Sequence, residues 1–393
     1  MTEWRKVRLG DIIKTNQNTY SSKEKWLFVN YLDTGNIVKN NIAEIKYIDL
    51  FKDKLPSRAR RKVSYNNIIY STVRPNQLHY GIIKEQPENF LVSTGFTVID
   101  VNENEAIADY IYYFLSQNEI TEHLQAIGEQ SVSAYPSIKP SDIENLEIKL
   151  PDIEEQKRIV GILSSIDDKI KNNMEINNNL FAQMEILYKS WFVDYEPFNG
   201  SKPETWLETD IYSIADIIYG APFASKQFNT DGNGKPIIRI RDLKYQNFAT
   251  YTTEVHPKGY LLQAGDITVG MDGEFRPYIW SNYEAWLNQR VCVFQNKRPY
   301  GKVFLYYTIK PLLYAIEQTQ VATTVIHIGK KDYDAFRIIL PDSKTLDNFD
   351  TITTPMLSQI ISNNFENKRL ATLRDTLLPK LMSSELDISS VEL

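Results

Sequence analysis

The chain repeats itself at a distance of 190 residues, and this repeat constrains its fold more than any other feature. Leu150-Pro151-Asp152 recurs as Leu340-Pro341-Asp342, and the same offset carries Ile138 onto Ile328 and Asp142 onto Asp332. A self-similar chain builds its structural unit more than once. Each Leu-Pro is followed by a long helical pattern. In the first copy Ile159, Leu163, Ile166, Ile170, Asn173, Asn177, Leu180, Met184, Leu187 and Trp191 alternate spacings of four and three, the seam of a coiled coil. The offset puts Phe349, Thr353, Met356, Ile360, Asn363, Asn367, Leu370, Arg374, Leu377 and Leu381 on the second seam. Both seams place two asparagines at equivalent central positions. A seam asparagine costs stability and fixes register, so Asn173, Asn177, Asn363 and Asn367 predict two helices packing on each other, antiparallel if a pseudo-two-fold axis relates the repeats. Asparagine-rich patches also occur in frayed, solvated turns, and the sequence alone leaves that reading open.

The segments before each helix repeat more loosely. Trp4 through Leu9 with Asp11, Ile12 and Ile13 resembles Trp206 through Ile214 with Asp216, Ile217 and Ile218, and Asn67-Ile68-Ile69 resembles Asp266-Ile267-Thr268. Each half has a β-rich middle: Asn67 to Val73 and Leu91 to Val101 in one, Pro236 to Arg241, Asp266 to Met271 and Arg290 to Gln295 in the other. A helical stretch follows, Tyr110 to Gln125 and Phe304 to Gln320, and Pro311 is expected to break or restart the second. The predicted class is α+β. Two similar mixed α/β domains are separated by two long helices packing as an antiparallel coiled coil, with pseudo-two-fold internal symmetry. The expected boundaries are 1–150 for the first domain, 151–195 for the first helix, 196–340 for the second domain, and 341–393 for the second helix and tail.

With 393 residues, 42% of them hydrophobic, the chain can bury two cores beside an extended element. Its one cysteine, Cys292, rules out a disulfide framework and a cysteine zinc cluster, and points to the reducing cytoplasm. No apolar run approaches the roughly 20 residues that span a bilayer, and no basic N-terminal segment precedes an apolar one, so no membrane role is expected. A formal net charge of −6 argues against a general nucleic-acid coat. The basic residues nevertheless bunch, as in Arg58, Arg60, Arg61 and Lys62, or Arg290, Lys297, Arg298 and Lys302.

Two similar domains on paired helices present two related surfaces at a fixed distance, and duplex DNA is a partner with that geometry. A helix of about 40 residues is roughly 60 Å long, enough to hold two surfaces one duplex turn apart. Because the domains differ in sequence, an asymmetric bipartite target is expected.

Several residues also carry a family likeness. The run from Leu150 to Ile170, beginning Leu150-Pro151-Asp152-Ile153-Glu154-Glu155-Gln156-Lys157, resembles the central conserved region of type I restriction-modification specificity subunits. Leu187 to Pro197, with Trp191-Phe192-Val193-Asp194-Tyr195-Glu196-Pro197, and Leu373 to Leu381 at the C-terminal end do the same. The second copy departs at Lys344 to Phe349, where the Glu-Glu-Gln-Lys run is missing and the helix start is less defined. The resemblance implies target-recognition domains and a chain with no cofactor of its own. It also implies double-stranded DNA, two methyltransferase subunits and two restriction/motor subunits as partners, with S-adenosylmethionine, ATP and Mg used by those subunits. A duplicated coiled-coil adaptor that never touches DNA is the competing reading.

Catalytic patterns are poorly supported. Pro151-Asp152, Glu155 and Lys157 have the spelling of a metal-dependent nuclease signature, but this spacing puts every carboxylate in one helical turn. Asp152 with Glu155 reads better as a helix N-cap with a capping-box partner, worth about 1 kcal/mol. His79, His123, His256 and His327 are scattered, so no metal site is expected. Gly232-Asn233-Gly234-Lys235 lacks the spacing of a phosphate-binding loop, and no Asn-Pro-Pro-Tyr tetrapeptide of an amino-methyltransferase occurs. For DNA contact the candidates are Arg58, Arg60, Arg61, Lys62, Arg74, Gln130, Ser131 and Ser133 in the first domain, and Arg239, Arg241, Arg276, Arg290, Lys330 and Lys331 in the second. Arginine and lysine grip phosphates, and arginine, glutamine and serine also reach base edges.

Overall fold

The computed structural model describes residues 4–130, 135–319, 327–386 and 388. They form two compact units, Met1–Asp168 with Ala371–Leu393, and Lys169–Leu370. In the first unit, Arg5–Arg8 pairs antiparallel with Glu147–Leu150, so the domain's entry and exit strands close on each other. Between them, Ile13–Thr15, Phe96–Val101, Ile68–Ser71 and Tyr80–Ile82 form an antiparallel sheet in that order. A second sheet runs Lys46–Asp49, Phe28–Leu32, Phe90–Ser93, Ala59–Lys62, with its two central strands parallel. Leu32, Phe90 and Val92 from one sheet pack with Ile69, Phe96 and Val98 from the other. Ile68, Tyr70, Ile99 and Val101 turn instead toward the helix Ala108–Leu115 and toward Ile159, Leu163, Leu378 and Leu381 of the long helices. Alternate residues of one strand thus serve two cores, as the two-residue period of a strand requires.

The second unit repeats this plan. Leu207–Asp210 pairs antiparallel with Arg337–Leu340. One sheet runs Ala215–Tyr219, Val291–Asn296, Ile267–Gly270, Pro277–Ile279, and the other holds the parallel pair Lys235–Ile238 and Ala285–Leu287. Its core is anchored where Phe192 meets Trp206, Phe304 and Phe349 at ring-centroid distances of 5.7, 4.9 and 4.8 Å. The last two contacts are edge-to-face, each worth about 0.5–1.5 kcal/mol beyond area burial.

The long helices span Ile153–Phe192 and Ser343–Met382, 40 residues each, and both ends obey the 190-residue offset. Asp152 accepts from the Glu155 N–H at 2.9 Å, the N-cap read from the sequence. The second helix starts cleanly without the Glu-Glu-Gln-Lys run. There Asp342 accepts from the Thr345 N–H at 3.0 Å, its hydroxyl at 2.8 Å and the Trp206 indole at 3.2 Å. The Thr345 backbone bond, above all, holds the Asp342 carboxyl below the usual range.

Within the second unit the helices pair antiparallel through the asparagines. Asn173 donates to Asn367 at 2.9 Å and Glu366 at 2.8 Å, Asn177 donates to Asn364 at 2.9 Å, and Asn363 donates to Asn177 at 2.8 Å. Asn173, Asn177 and Asn363 are buried. The pairs cross: Asn173 meets the 190-offset equivalent of Asn177, and Asn177 meets that of Asn173, so a local two-fold axis passes between them. The symmetry is broken one step along. In the first unit Arg374 bonds Asp167 at 2.7 Å, whereas the equivalents of these two residues, Met184 and Leu357, lie in the second unit's apolar core.

Four sequence expectations need correction. Leu91 to Val101 is not one strand: it breaks at Thr94-Gly95, and Phe90–Ser93 and Phe96–Val101 enter different sheets. Tyr110 to Gln125 is two helices, Ala108–Leu115 and Asn118–Glu129, because Ser116 and Gln117 turn back on the end of the first. Pro311 neither breaks nor restarts its helix, which runs unbroken over Lys302–Thr319 with Pro311 exposed. Its ring lies on the outer side, where it removes one i to i−4 hydrogen bond without ending the helix. The strand expected to reach Arg241 stops at Ile238, and Ile240–Leu243 is a helical turn begun by a bond from the Arg239 N–H to Asp242 at 3.0 Å.

Candidate nucleic-acid interface

In the first unit, backbone hydrogen bonds draw four segments to one end of the sheets. The Thr94 N–H donates to Arg58 O at 2.8 Å, the Thr72 N–H to Gly95 O at 2.8 Å, the Arg74 N–H to Pro136 O at 2.9 Å and the Ile138 N–H to Thr72 O at 2.9 Å. A Cβ on Gly95 would lie 2.8 Å from the Thr34 methyl, so the Asp33–Asn36 turn closes the same end. Arg74 has a left-handed φ of 48°, and its guanidinium lies 4.6 Å from the Tyr135 ring centroid. Tyr135 is 57% exposed, so the pair offers a planar cation on an aromatic ring to solvent.

The other candidates of this unit are placed as follows. Arg58 and Arg60 are exposed, Arg60 on the sheet-edge strand Ala59–Lys62. Arg61 is half-buried, and burial lowers the pKa of its guanidinium. Lys62 pairs with Glu24 and sits 5.2 Å from the Trp26 ring centroid. The hydrogen bond from Lys62 holds the Glu24 carboxyl below its usual range. Gln130 is exposed and caps the helix Asn118–Glu129, whose Gly128 accepts from the Ser137 N–H. Ser131 and Ser133 lie outside the described residues.

The equivalent end of the second unit keeps the backbone and changes the side chains. The Met271 N–H donates to Arg290 O at 3.0 Å and the Ile328 N–H to Met271 O at 3.0 Å, matching the Thr72–Gly95 and Ile138–Thr72 bonds. The bridge of Val73 with Ser137 becomes that of Asp272 with His327. Arg290 therefore stands where the first unit has Gly95, and Gly273, with φ +78°, stands where it has Arg74. Arg290 bonds Asp272 through Nε at 2.7 Å and also through Nη2. His327 Nδ1 touches both, 2.9 Å from Arg290 Nη2 and 2.5 Å from Asp272 Oδ1. Hydrogen bonds from Arg290, then His327, hold the Asp272 carboxyl below the ordinary range, and Asp272 raises the Arg290 pKa.

The remaining candidates are tied more tightly to their own fold. Arg276 is clamped by Glu317, with Nη2 to Oε1 at 3.0 Å, and this bonding raises its pKa. Arg239 bonds Thr250 and lies 5.9 Å from the Phe228 ring centroid, while Arg241 is exposed beside Asp242 at 3.6 Å. Lys330 pairs with Asp334 at 3.0 Å over the Tyr212 ring, and Lys331 is exposed.

Of the sequence candidates, Arg74 and Arg290 lie at these ends, while their structural partners Tyr135, Asp272 and His327 were not among the DNA-contact candidates. One signal was available: Ser137 and His327 are 190 residues apart, at the position just before the matched Ile138 and Ile328. Sequence reasoning also misaligned the domain entries by three residues. The Ile12 N–H bond to Leu9 is matched by that of Ile214 to Ile211, not by Ile217.

Comparisons with known proteins agree with this duplicated plan. The chain matches the Type I restriction modification DNA specificity domain over residues 1–181 and again over 203–374. It is 24% identical to the HindI type I restriction enzyme specificity subunit of Haemophilus influenzae, across 98% of this chain and all of that protein. It is 37% identical over 139 residues to the EcoBI specificity subunit of Escherichia coli, a match covering 35% of this chain and 29% of that one. In fold it resembles the crystal structure of a type I restriction-modification S subunit from M. genitalium, with a TM-score of 0.57 and 16% identity over 98% of this chain and 97% of that one. With two family matches that between them span most of its length, and two copies of one domain plan to account for them, the chain belongs to the type I restriction-modification DNA specificity family, whose members are non-catalytic specificity subunits.

Proposed function

We propose that the two domains each read one half of an asymmetric, split DNA target and so direct adenine methylation, and restriction, by partner subunits. One observation carries this reading: equivalent backbone positions at the ends of the two domains hold different side chains, Gly95, Val73, Arg74 and Ser137 in one and Arg290, Asp272, Gly273 and His327 in the other. A shared scaffold with different polar groups suits two related but unequal half-sites. The reading ends comprise Arg58, Arg60, Arg74 and Gln130 in 1–150, and Arg239, Arg241 and Arg290 in 196–340. Arg61, Lys62, Arg276, Lys330 and Lys331 contribute mainly field and phosphate contact. The segments 151–195 and 341–393 hold two methyltransferase subunits and two restriction/motor subunits, and the helix length sets the spacer. S-adenosylmethionine, ATP and Mg act in those partners, and the assembly works in the cytoplasm.

The test is adenine methylation mapped across the host genome with and without this chain. Loss of one split motif on deletion is expected. An unchanged methylation pattern, or a motif that is not split, would overturn the reading and favour an adaptor.

A further inference from the structure

Arg290, Asp272 and His327 form a polar cluster that the first unit lacks. Asp272 occupies the strand-end position after Met271, and its carboxylate takes the Nε edge of the Arg290 guanidinium. Its side chain is 22% exposed and that of Arg290 is 44% exposed, so the carboxylate sits beneath the arginine and the arginine faces outward. The guanidinium is a rigid planar fork with five N–H donors. With Nε–H and the inner Nη2–H directed at Asp272, the outward edge holds Nη1 and the second Nη2–H.

His327 limits the alternatives. Asp272 Oδ1 only accepts, and His327 Nδ1 lies against it, so the proton is assigned to Nδ1. With its proton on Nδ1, His327 takes no hydrogen from Arg290, although the ring lies 2.9 Å from Nη2 and crowds that nitrogen. Two parallel donors on a fixed edge match two adjacent acceptors in one plane. In the DNA major groove that pattern is guanine O6 and N7. A phosphate also accepts two donors from such an edge, so the two partners are separated by the discrimination among bases that only guanine recognition gives, while the half-buried Asp272 carboxylate fixes the fork's orientation in advance.

We propose that Arg290 reads one guanine of the half-site bound by the second domain, and that Asp272 is its positioning residue. This inference rests on the DNA-reading function proposed above. The first domain has glycine at the Arg290 position and valine at the Asp272 position, so its half-site is read by other means.

The experiment uses the full methyltransferase assembly in a host lacking other adenine methylases, with methylated motifs mapped for the unaltered chain, R290A, R290K and D272N. The unaltered chain must first yield a split motif; its absence defeats the DNA-reading function and with it this inference. Given that motif, R290A and R290K are expected to relax one guanine position in one half from at least about a fivefold preference to near equality. The other half should be unchanged, and D272N should relax the same position to a lesser degree. Unchanged motifs in both arginine variants, or relaxation at a position other than guanine, would overturn the assignment. If R290A methylates nothing, binding to duplexes carrying each base at each motif position decides. Loss of discrimination at one guanine supports the assignment, and an equal loss of affinity for every duplex identifies a phosphate contact and refutes it.

Discussion

At the residue scale, Lys368 shows what it costs to seat the second long helix against its domain. Its ammonium donates to the Ser281 carbonyl at 2.6 Å and lies 5.6 Å from the Phe365 ring centroid. Burial lowers its pKa from 10.5 to about 8. A folded-state pKa below the unfolded one means that the unfolded chain binds more protons between about pH 8 and 10.5, so this group makes folding more favourable as pH rises through that window. Below pH 8 the folded protein carries a charge held out of water. K368M is therefore expected to melt higher than the unaltered chain at pH 7, with the difference shrinking toward pH 10. Paired thermal melts at several pH values measure it, and a difference independent of pH would show that the ammonium is fully solvated.

At the scale of elements, the asparagine seam is a set of mutual obligations. Asn177 both donates to Asn364 and accepts from Asn363, and Gln359 donates in turn to Asn363 at 2.7 Å. Removing one member leaves buried amides unpaired, whereas replacing facing members together by apolar groups removes donor and acceptor at once. N177A is expected to cost about 1–3 kcal/mol. N177L combined with N363L should recover most of that loss while weakening the choice of register. Urea melts give the energies, and sedimentation reports any new association; equal destabilisation by the single and double variants would show that the seam tolerates no apolar pair.

The helices, the first N-cap and the offset between the two helices were legible in the sequence because helical periodicity and capping are local signals, whereas the start of the second helix was less defined there. The second helix begins cleanly without its acidic run because Asp342 caps it through Thr345, with the Trp206 indole steadying the carboxylate. The strand break at Thr94-Gly95 was missed although Ser93-Thr94-Gly95 interrupts the apolar run; a small polar step of this kind also fits inside a strand, and the close approach of Thr34 to Gly95 accounts for the turn. Likewise Arg74 and Arg290 stood out as charges, but their partners come from segments distant in sequence, whose approach depends on sheet register.

For the whole molecule, the strand pairs that close each domain carry a consequence for ancestry. Each domain enters and leaves the chain through one short antiparallel ribbon, so its interior can change in length while the helices stay fixed. The two domains already differ in this way: Trp4 and Trp206 are 202 residues apart, but the strands that close the domains are 190 apart. The ribbons are not interchangeable, however. Arg8 faces Glu147 in one, whereas Asp210 faces Arg337 in the other, with the charges reversed. A recombinant that joins the entry strand of one domain to the exit strand of the other sets Arg8 against Arg337, or Asp210 against Glu147, and like charges directly opposite destabilise a ribbon. Chimaeras cut outside both strands of a ribbon should melt near the parent temperature, and those cut between its strands should melt lower, with charge-reversing substitution restoring them. Equal melting of both kinds would remove the charges from the account. With the reversal in place, a lineage trades whole recognition modules freely and is penalised for splicing half of one.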